Sequence, residues 1–379
     1  MSAAATTAPA ATHGAAQRVD VFRVPCGGPG DLSGVQALID AGRLDPATVV
    51  AVMGKTEGNG CVNDHTRDFA ATAWCHFLAP HLGCTATQVH ERVALVMSGG
   101  TEGVLSPHAS IFVRRSLPQA APAAAARMAI GVAHTRDFLP EELGRRAQID
   151  ETARAVRAAL DNAGIRNASD VHFVQVKCPL LTAERVAEAR RRGHEPVTSE
   201  AYGSMAWSRG ASALGVAVAL GEVAAEVPES AVLANWSLHS SVASTSAGIE
   251  LAHNVVVVMG NSLAATGDLV IGHAVMRDAI DLAGVRAALA SAGLRGADDA
   301  ARIVNVFAKA EPSPDGTVRG FRHTMLDDTD ISATRHARAA VGGLIAGVAG
   351  TGAIYVSGGA EHQGPAGGGP VAVVARAAS

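Results

Sequence analysis

The chain has 379 residues and a net charge near −4; 48% of its residues are hydrophobic but only 3% are aromatic. That length allows two or three domains with a large core built of Ala, Val, Leu and Ile, and the 41 glycines mark turns and close backbone approaches. No Lys/Arg cluster is interleaved with aromatics, which argues against nucleic acid, and no apolar run approaches the roughly 20 residues of a membrane-spanning helix.

The first residues, "MSAAATTAPAATHGAAQR", are rich in Ala, Thr and Pro. They lack an early basic residue and an apolar core, so residues 1–15 are expected to be a disordered tail rather than a signal peptide. Next, "GGPGDLSG" (27–34) resembles a phosphate loop only loosely. It lacks the Gly-Lys-Ser/Thr ending and fits a helix-entry turn. The five cysteines, Cys26, Cys61, Cys75, Cys84 and Cys178, form no CxxC pair. Such a scattered odd set predicts reduced thiols in a cytoplasmic protein.

A repeat begins at "LIDAGRLDPATVVAVMGK" (38–55), which recurs as "LDNAGIRNASDVHFVQVK" (160–177) and "LASAGLRGADDAARIVNVFAK" (289–309). Each copy predicts a helix stopped by glycine in a left-handed conformation, a short polar link, a β-branched strand and a lysine. The lysines are Lys55, Lys177 and Lys309. Each is followed by an irregular segment, an Ala-rich amphipathic helix (211–225 and 334–347 in the later copies) and a strand. That strand ends in a serine–small–glycine–x–glutamate turn, at Ser98, Ser246 and Ser357. A further apolar strand closes each copy: "IFVRR", "VVVVMG" and "VAVVAR". The chain is therefore expected to contain three similar α/β units, about 16–118, 126–262 and 268–379. "SLPQAAPAAAAR" is the clearest linker.

A single Ser-Gly-Gly is an ordinary turn, and a single lysine at a strand end is ordinarily solvated. A threefold repeat accounts for shared glycines, but not for a lysine, costly to bury, in the same place three times. A serine hydroxyl becomes a nucleophile when a base takes its proton. Lysine serves if burial and nearby positive charge lower its pKa. The small residues after each serine leave backbone N–H groups bare for an oxyanion. Three such sets around one axis suit a small, flat ligand with carbonyls on its rim. Arg67, Arg209 and either Arg338 or Arg322 fall between lysine and serine, where a guanidinium partners carbonyls and keeps lysines neutral. The 15 histidines form no HExxH or His-x-His set, and His239, His253 and His362 are expected at helix ends or in loops rather than on a metal. Zinc hydrolysis and a G-x-S-x-G elbow are both disfavoured.

These stretches, with "VMGKTEGNGCVND", "VMSGGTEGVLSPH", "TRDFLPEE", "HFVQVKCPLLT", "SRGASALG", "STSAGIEL", "NVFAKAE" and "YVSGGAEHQGPAGGGP", resemble the cyanuric acid hydrolase and barbiturase family of ring-opening amidohydrolases from about Asp20 to the C-terminus. The resemblance implies three units around a pseudo-threefold axis with the active site at its centre. It implies hydrolysis of one ring amide of cyanuric acid to carboxybiuret, which loses carbon dioxide to give biuret. Carried over by position, Lys177 is the base and Ser246 the nucleophile. The substrate contacts are Arg67, Ser98, Gly99, Arg209, Ser246, Ala247, Arg338, Ser357 and Gly358, and Lys55 and Lys309 bind or polarise. A structural divalent metal, magnesium or calcium, is implied at Glu311 and the carbonyls of Ala360, Gln363, Gly364, Pro365, Ala366 and Gly368. That would make "HQGPAGGGP" a loop shaped for a hard cation. No organic cofactor is implied, and the assembly is expected to be a homotetramer. Ala247 replaces the Gly of the other units, marking the second unit as specialised. A barbiturase, and a protein that binds a cyclic imide without cleaving it, are the competing readings.

Overall fold

The structure is a computed structural model that describes residues 16–117 and 125–378. The expected tail at 1–15 and most of the first linker lie outside the described residues. The first unit runs β1 (Gln17–Pro25), α1 (Ser33–Asp40), β2 (Val49–Thr56), α2 (His65–Leu82), β3 (Ala94–Gly99) and β4 (His108–Ser116). The second runs β5 (Arg127–His134), α3 (Arg146–Ala163), β6 (Val171–Pro179), α4 (Ala183–Arg191), α5 (Ala201–Leu220), β7 (Ala243–Gly248) and β8 (Val255–Ser262), followed by the short β9 (Ala265–Thr266). The third runs β10 (Leu269–Met276), α6 (Leu282–Ser291), β11 (Ile303–Ala310), a hairpin of β12 (Thr317–Val318) and β13 (Phe321–Arg322), α7 (Ala333–Ala349), β14 (Tyr355–Gly358) and β15 (Gly369–Arg376).

The three sheets have one topology. Their orders are β1-β4-β2-β3, β5-β8-β6-β7 and β10-β15-β11-β14, with β9 added beside β1. In each, the lysine-bearing strand and the serine-bearing strand are parallel, joined by a crossover that includes a helix, and the last strand returns antiparallel between the first two. Each lysine strand carries a register shift near its start, at Val49/Ala51, Val171/Phe173 and Ile303/Asn305. Because side chains alternate faces, one extra residue at the same point in all three strands puts all three lysines on the same face.

The predicted helix stops are present. Gly42, Gly164 and Gly293 have φ of 64°, 66° and 75°, and a second set at Gly83, Gly221 and Gly350 ends the crossover helices at 60°, 73° and 69°. The helix expected over 211–225 instead occupies Ala201–Leu220. Its first turns, "AYGSMAWSRG", mix small, aromatic and polar residues without a clean amphipathic stripe, and Tyr202 stays exposed there, whereas the later half from Gly210 to Val218 is buried all round. Each unit has its own core between sheet and helices, around Trp74, Leu78 and Ile111, around Val156, Val176 and Val216, and around Val285, Val341 and Val371. A fourth cluster draws on all three sheets, including Phe112, Phe173 and Phe307, and joins the units where the sheets meet.

Candidate active site

Parallel pairing sets the chemistry in register. Lys55 lies opposite Ser98, Lys177 opposite Ser246 and Lys309 opposite Ser357. The serines lie within the last residues of their strands rather than in the turns that follow, which correctly places them on the pleat facing their lysines. Lys55 Nζ donates to Ser98 Oγ and Gly99 O, both at 3.2 Å. Lys309 Nζ donates to Ser357 Oγ at 3.2 Å, to Gly358 O at 2.9 Å and, across the unit boundary, to Thr245 O at 2.8 Å. The second unit departs from this pattern. Lys177 Nζ donates to Met97 O of the first unit at 3.0 Å and lies 2.8 Å from Glu250 Oε1, while Ser246 Oγ is buried without a partner.

The three lysines are buried, at 2%, 0% and 0% exposure. Burial is the largest influence on each, lowering its pKa from the ordinary lysine value. Arg338 adds to the effect at Lys55, Arg67 at Lys177 and Arg209 at Lys309, which is brought down to about 7. The helices supply the arginines: Arg67 from the first turn of α2, Arg209 from α5 and Arg338 from α7. Arg322 sits instead on the β12–β13 hairpin, exposed and paired with Asp327 at 2.7 Å.

One small pocket is lined by Arg67, Ser98, Gly99, Arg209, Ser246, Ala247, Arg338, Ser357 and Gly358, joined by Gly60 and Met205. Every substrate contact implied by the resemblance, other than the two lysines beneath their serines, meets there. Sequence reasoning did not single out Gly60, Met205 or the acids that hold the arginines. Glu102 takes Arg338 bidentately at 2.6 and 2.8 Å, and Glu361 takes Arg209 at 2.5 and 2.8 Å. Each glutamate lies four residues past its serine, so the signal was present in the repeat although its role was not assigned. Arg67 donates to Ala247 O at 3.0 Å and Cys61 O at 2.5 Å, with Asp64, the N-cap of α2, 3.7 Å from its Nε. Glycine is required where the guanidinium groups pass. Gly359 has φ of 78°, and a Cβ there would fall 2.4 Å from Arg209 Nε.

The Gly-rich loop after Ser357 curls through positive φ at Gly359, His362, Gly364 and Gly367. Beside it Glu311 is half-buried, with Oε2 shielded from solvent and lacking a hydrogen-bond partner, and desolvation together with Glu361 pushes its carboxyl up to about 7. The Gln363 side chain is occupied by Thr245 N, Gly359 O and Glu361 O. Among the described residues no group of three or more His, Cys, Asp and Glu could hold a metal. A carboxylate with one unpartnered oxygen, beside a loop that offers only backbone carbonyls, suits a hard cation rather than zinc. His362 is structural, with Nδ1 2.6 Å from Leu238 O and Nε2 accepting from Leu233 N at 2.9 Å.

Known proteins are similar to this chain in sequence and in fold. The family model described as "amidohydrolase ring-opening protein" matches residues 20–376. The cyanuric acid amidohydrolase of Bradyrhizobium diazoefficiens is 64% identical, over 94% of this chain and 98% of its own length. That of Pseudomonas sp. strain ADP is 61% identical, over 95% and 99%. A solved cyanuric acid hydrolase, described as an evolutionary innovation by structural concatenation, superposes with a TM-score of 0.92 at 60% identity, covering 96% of this chain and all of the other. The A. caulinodans enzyme gives 0.88 at 50% identity, with the same coverage. With three register-matched lysine–serine pairs on one pocket and a family match over nearly its whole length, the chain belongs to the ring-opening amidohydrolases.

Proposed function

We propose that the chain hydrolyses one ring amide of cyanuric acid, with Ser246 as nucleophile and Lys177 as its base. The observation that carries this reading is the threefold set of serines and arginines on one small pocket, matched to a ring with three alternating carbonyls. Ser246 is singled out because its hydroxyl has no protein partner, whereas Ser98 and Ser357 are already bonded to their lysines. Ser246 Oγ adds to a ring carbonyl carbon as its proton passes to Lys177 Nζ. The C–N bond breaks, and the ring nitrogen takes that proton. Water then hydrolyses the resulting carbamoyl ester to carboxybiuret, which loses carbon dioxide to leave biuret. The other two units hold the remaining carbonyls, and Lys55 and Lys309 polarise them.

Glu311 with the carbonyls of Ala360, Gln363, Gly364, Pro365, Ala366 and Gly368 would hold a magnesium or calcium ion, whose charge ties the loop to the third unit. We also propose a cytoplasmic homotetramer, which light scattering of the purified protein tests for assembly. Among the described residues no helix is long and apolar enough to cross a membrane.

The test of function is incubation with cyanuric acid and, separately, barbituric acid, following ring loss and biuret. Biuret from cyanuric acid, with barbituric acid acting as a competitor, is expected. Faster opening of barbituric acid would favour the barbiturase reading, and binding of both without turnover would favour a binding protein. Melamine presents amino donors where the site also donates, and each unpaired buried donor costs about 1–3 kcal/mol. Tight melamine binding would overturn the carbonyl cradle.

A further inference from the structure

The glutamates four past each serine occupy matching places, and two of them do the same thing. Glu102 of the first unit holds Arg338 of the third, and Glu361 of the third holds Arg209 of the second. Carried round the axis, Glu250 of the second unit would hold Arg67 of the first. Instead its Oε1 lies 2.8 Å from Lys177 Nζ, and Arg67 is held by backbone carbonyls and Asp64. Neither Lys55 nor Lys309 makes an ion pair with a carboxylate among the described residues; both bond their own serine and backbone carbonyls.

We propose that Glu250 is a positioning residue that orients Lys177 towards Ser246 and stabilises the ammonium formed when Ser246 gives up its proton. This rests on the reading of Lys177 and Ser246 as base and nucleophile, and it supplies the reason that the second unit reacts. A base fixed by a third group is the general logic of a catalytic triad. Of the three tetrahedral directions on Lys177 Nζ, Met97 O and Glu250 occupy two, leaving one for the unpartnered Ser246 hydroxyl. Burial and Arg67 favour the neutral amine that must accept the proton, while Glu250 supplies the countercharge once it has done so. The groups facing the pair are Arg67 on α2, Cys178 on the lysine's own strand, and His90, whose ring feels the Glu250 charge. During the step the O–H bond of Ser246 breaks, the proton rests on Lys177 and is passed to the ring nitrogen, and Glu250 keeps its charge throughout.

Glu250→Gln removes the charge at nearly constant shape. The expected result is a kcat lower by about a hundredfold, the scale of a supported general base, with KM little changed because Arg67 keeps its other partners. The acid limb of the kcat profile should move to lower pH, since Lys177 loses the neighbour that favours its charged form. Glu102→Gln and Glu361→Gln should raise KM and leave that limb in place. Glu250→Asp, keeping the charge on a shorter arm, should keep the limb near its original pH at reduced kcat, and it stands in if the glutamine variant does not fold. Wild-type kcat and an unmoved limb in Glu250→Gln, with Ser246→Ala inactive, would overturn this inference alone. Substantial activity in Ser246→Ala would overturn the dyad assignment beneath it.

Discussion

A serine-to-alanine scan of the three units distinguishes a reacting serine from two binding ones. On the proposed dyad, Ser246→Ala removes the attacking oxygen, and a nucleophile acting as one unit with its base carries about 10⁶ in kcat, or about 8 kcal/mol of barrier at roughly 1.36 kcal/mol per decade. In Ser98→Ala, Lys55 loses its contact to Oγ at 3.2 Å but keeps that to Gly99 O, also at 3.2 Å. One buried neutral hydrogen bond is worth about 1 kcal/mol, so the loss is about fivefold, read mainly in KM. Ser357→Ala is milder still, because Lys309 keeps Gly358 O and Thr245 O. Single-turnover rates with cyanuric acid, alongside steady-state kcat and KM, separate these cases by several decades. Lys177→Ala should match Ser246→Ala, and the double variant should be scarcely worse. If Ser98→Ala or Ser357→Ala were the inactive protein while Ser246→Ala kept a tenth or more of its rate, the dyad would lie in another unit.

Glu102→Gln breaks the bidentate hold on Arg338, and KM for cyanuric acid should rise by about tenfold, the equivalent of one charge-assisted hydrogen bond, with kcat largely retained. With the proposed cation in the loop, chelation should lower Tm by several degrees while the initial rate well below Tm is largely retained, because an ion that binds the native loop stabilises by mass action. Glu311→Gln should lower Tm similarly and no longer respond to chelator, and a chelated protein that is inactive at unchanged Tm would contradict a structural ion. Stability should also depend on pH through the buried lysines. Lys55 and Lys177 are depressed in the folded state, so between those values and the ordinary lysine value of 10.5 the unfolded chain binds more protons and stability rises with pH. The penalty of burying these amines is full below their folded values and gone above the ordinary one. Wild type should therefore gain Tm relative to Lys55→Met from pH 7 to pH 10, and a constant difference would show that Lys55 is not depressed.

What the sequence disclosed was whatever is local. Helix stops at Gly42, Gly164 and Gly293 are single-residue backbone requirements, and a β-branched run ending in lysine is a strand wherever it occurs. Two features were hidden because they depend on burial or on contacts between units. The start of α5 mixes small, aromatic and polar residues and is held by its contacts rather than by an amphipathic stripe, and β9 is a strand only because β1 offers it an edge. The site divides the same way. Serine, lysine and arginine repeat in sequence, but Arg209 and Arg338 are each held by a glutamate from a different unit while Arg67 is held by backbone carbonyls and Asp64, and no spacing within one unit discloses which partner a guanidinium meets. Choosing Arg338 over Arg322 likewise took the helix that carries one inwards and the hairpin that carries the other into solvent.

The break in threefold symmetry has a steric basis as well as an electrostatic one. After each serine comes a small residue, glycine in two units and alanine in the second. At Gly99 an added Cβ would fall 1.8 Å from Asp64 Oδ2, and at Gly358 it would fall 2.1 Å from Thr334 Cγ2 and 2.9 Å from Arg338 Nη1. Those two positions must therefore be glycine while the acid cap of α2 and the start of α7 press so close. In the second unit, Ala247 packs into that unit's own core, in the same cluster as Met205 and Val176. The methyl group therefore fits only where no polar side chain crowds the strand end, and there it fills space with apolar volume beside Ser246. Ala247 O is also the acceptor for Arg67, the arginine that Glu250 leaves free of a bidentate clamp. In this same unit Arg67 is held through a backbone carbonyl, Glu250 lies beside Lys177 and the Ser246 hydroxyl is unpaired, so the steric and the electrostatic departures from threefold symmetry coincide at the serine proposed as the nucleophile.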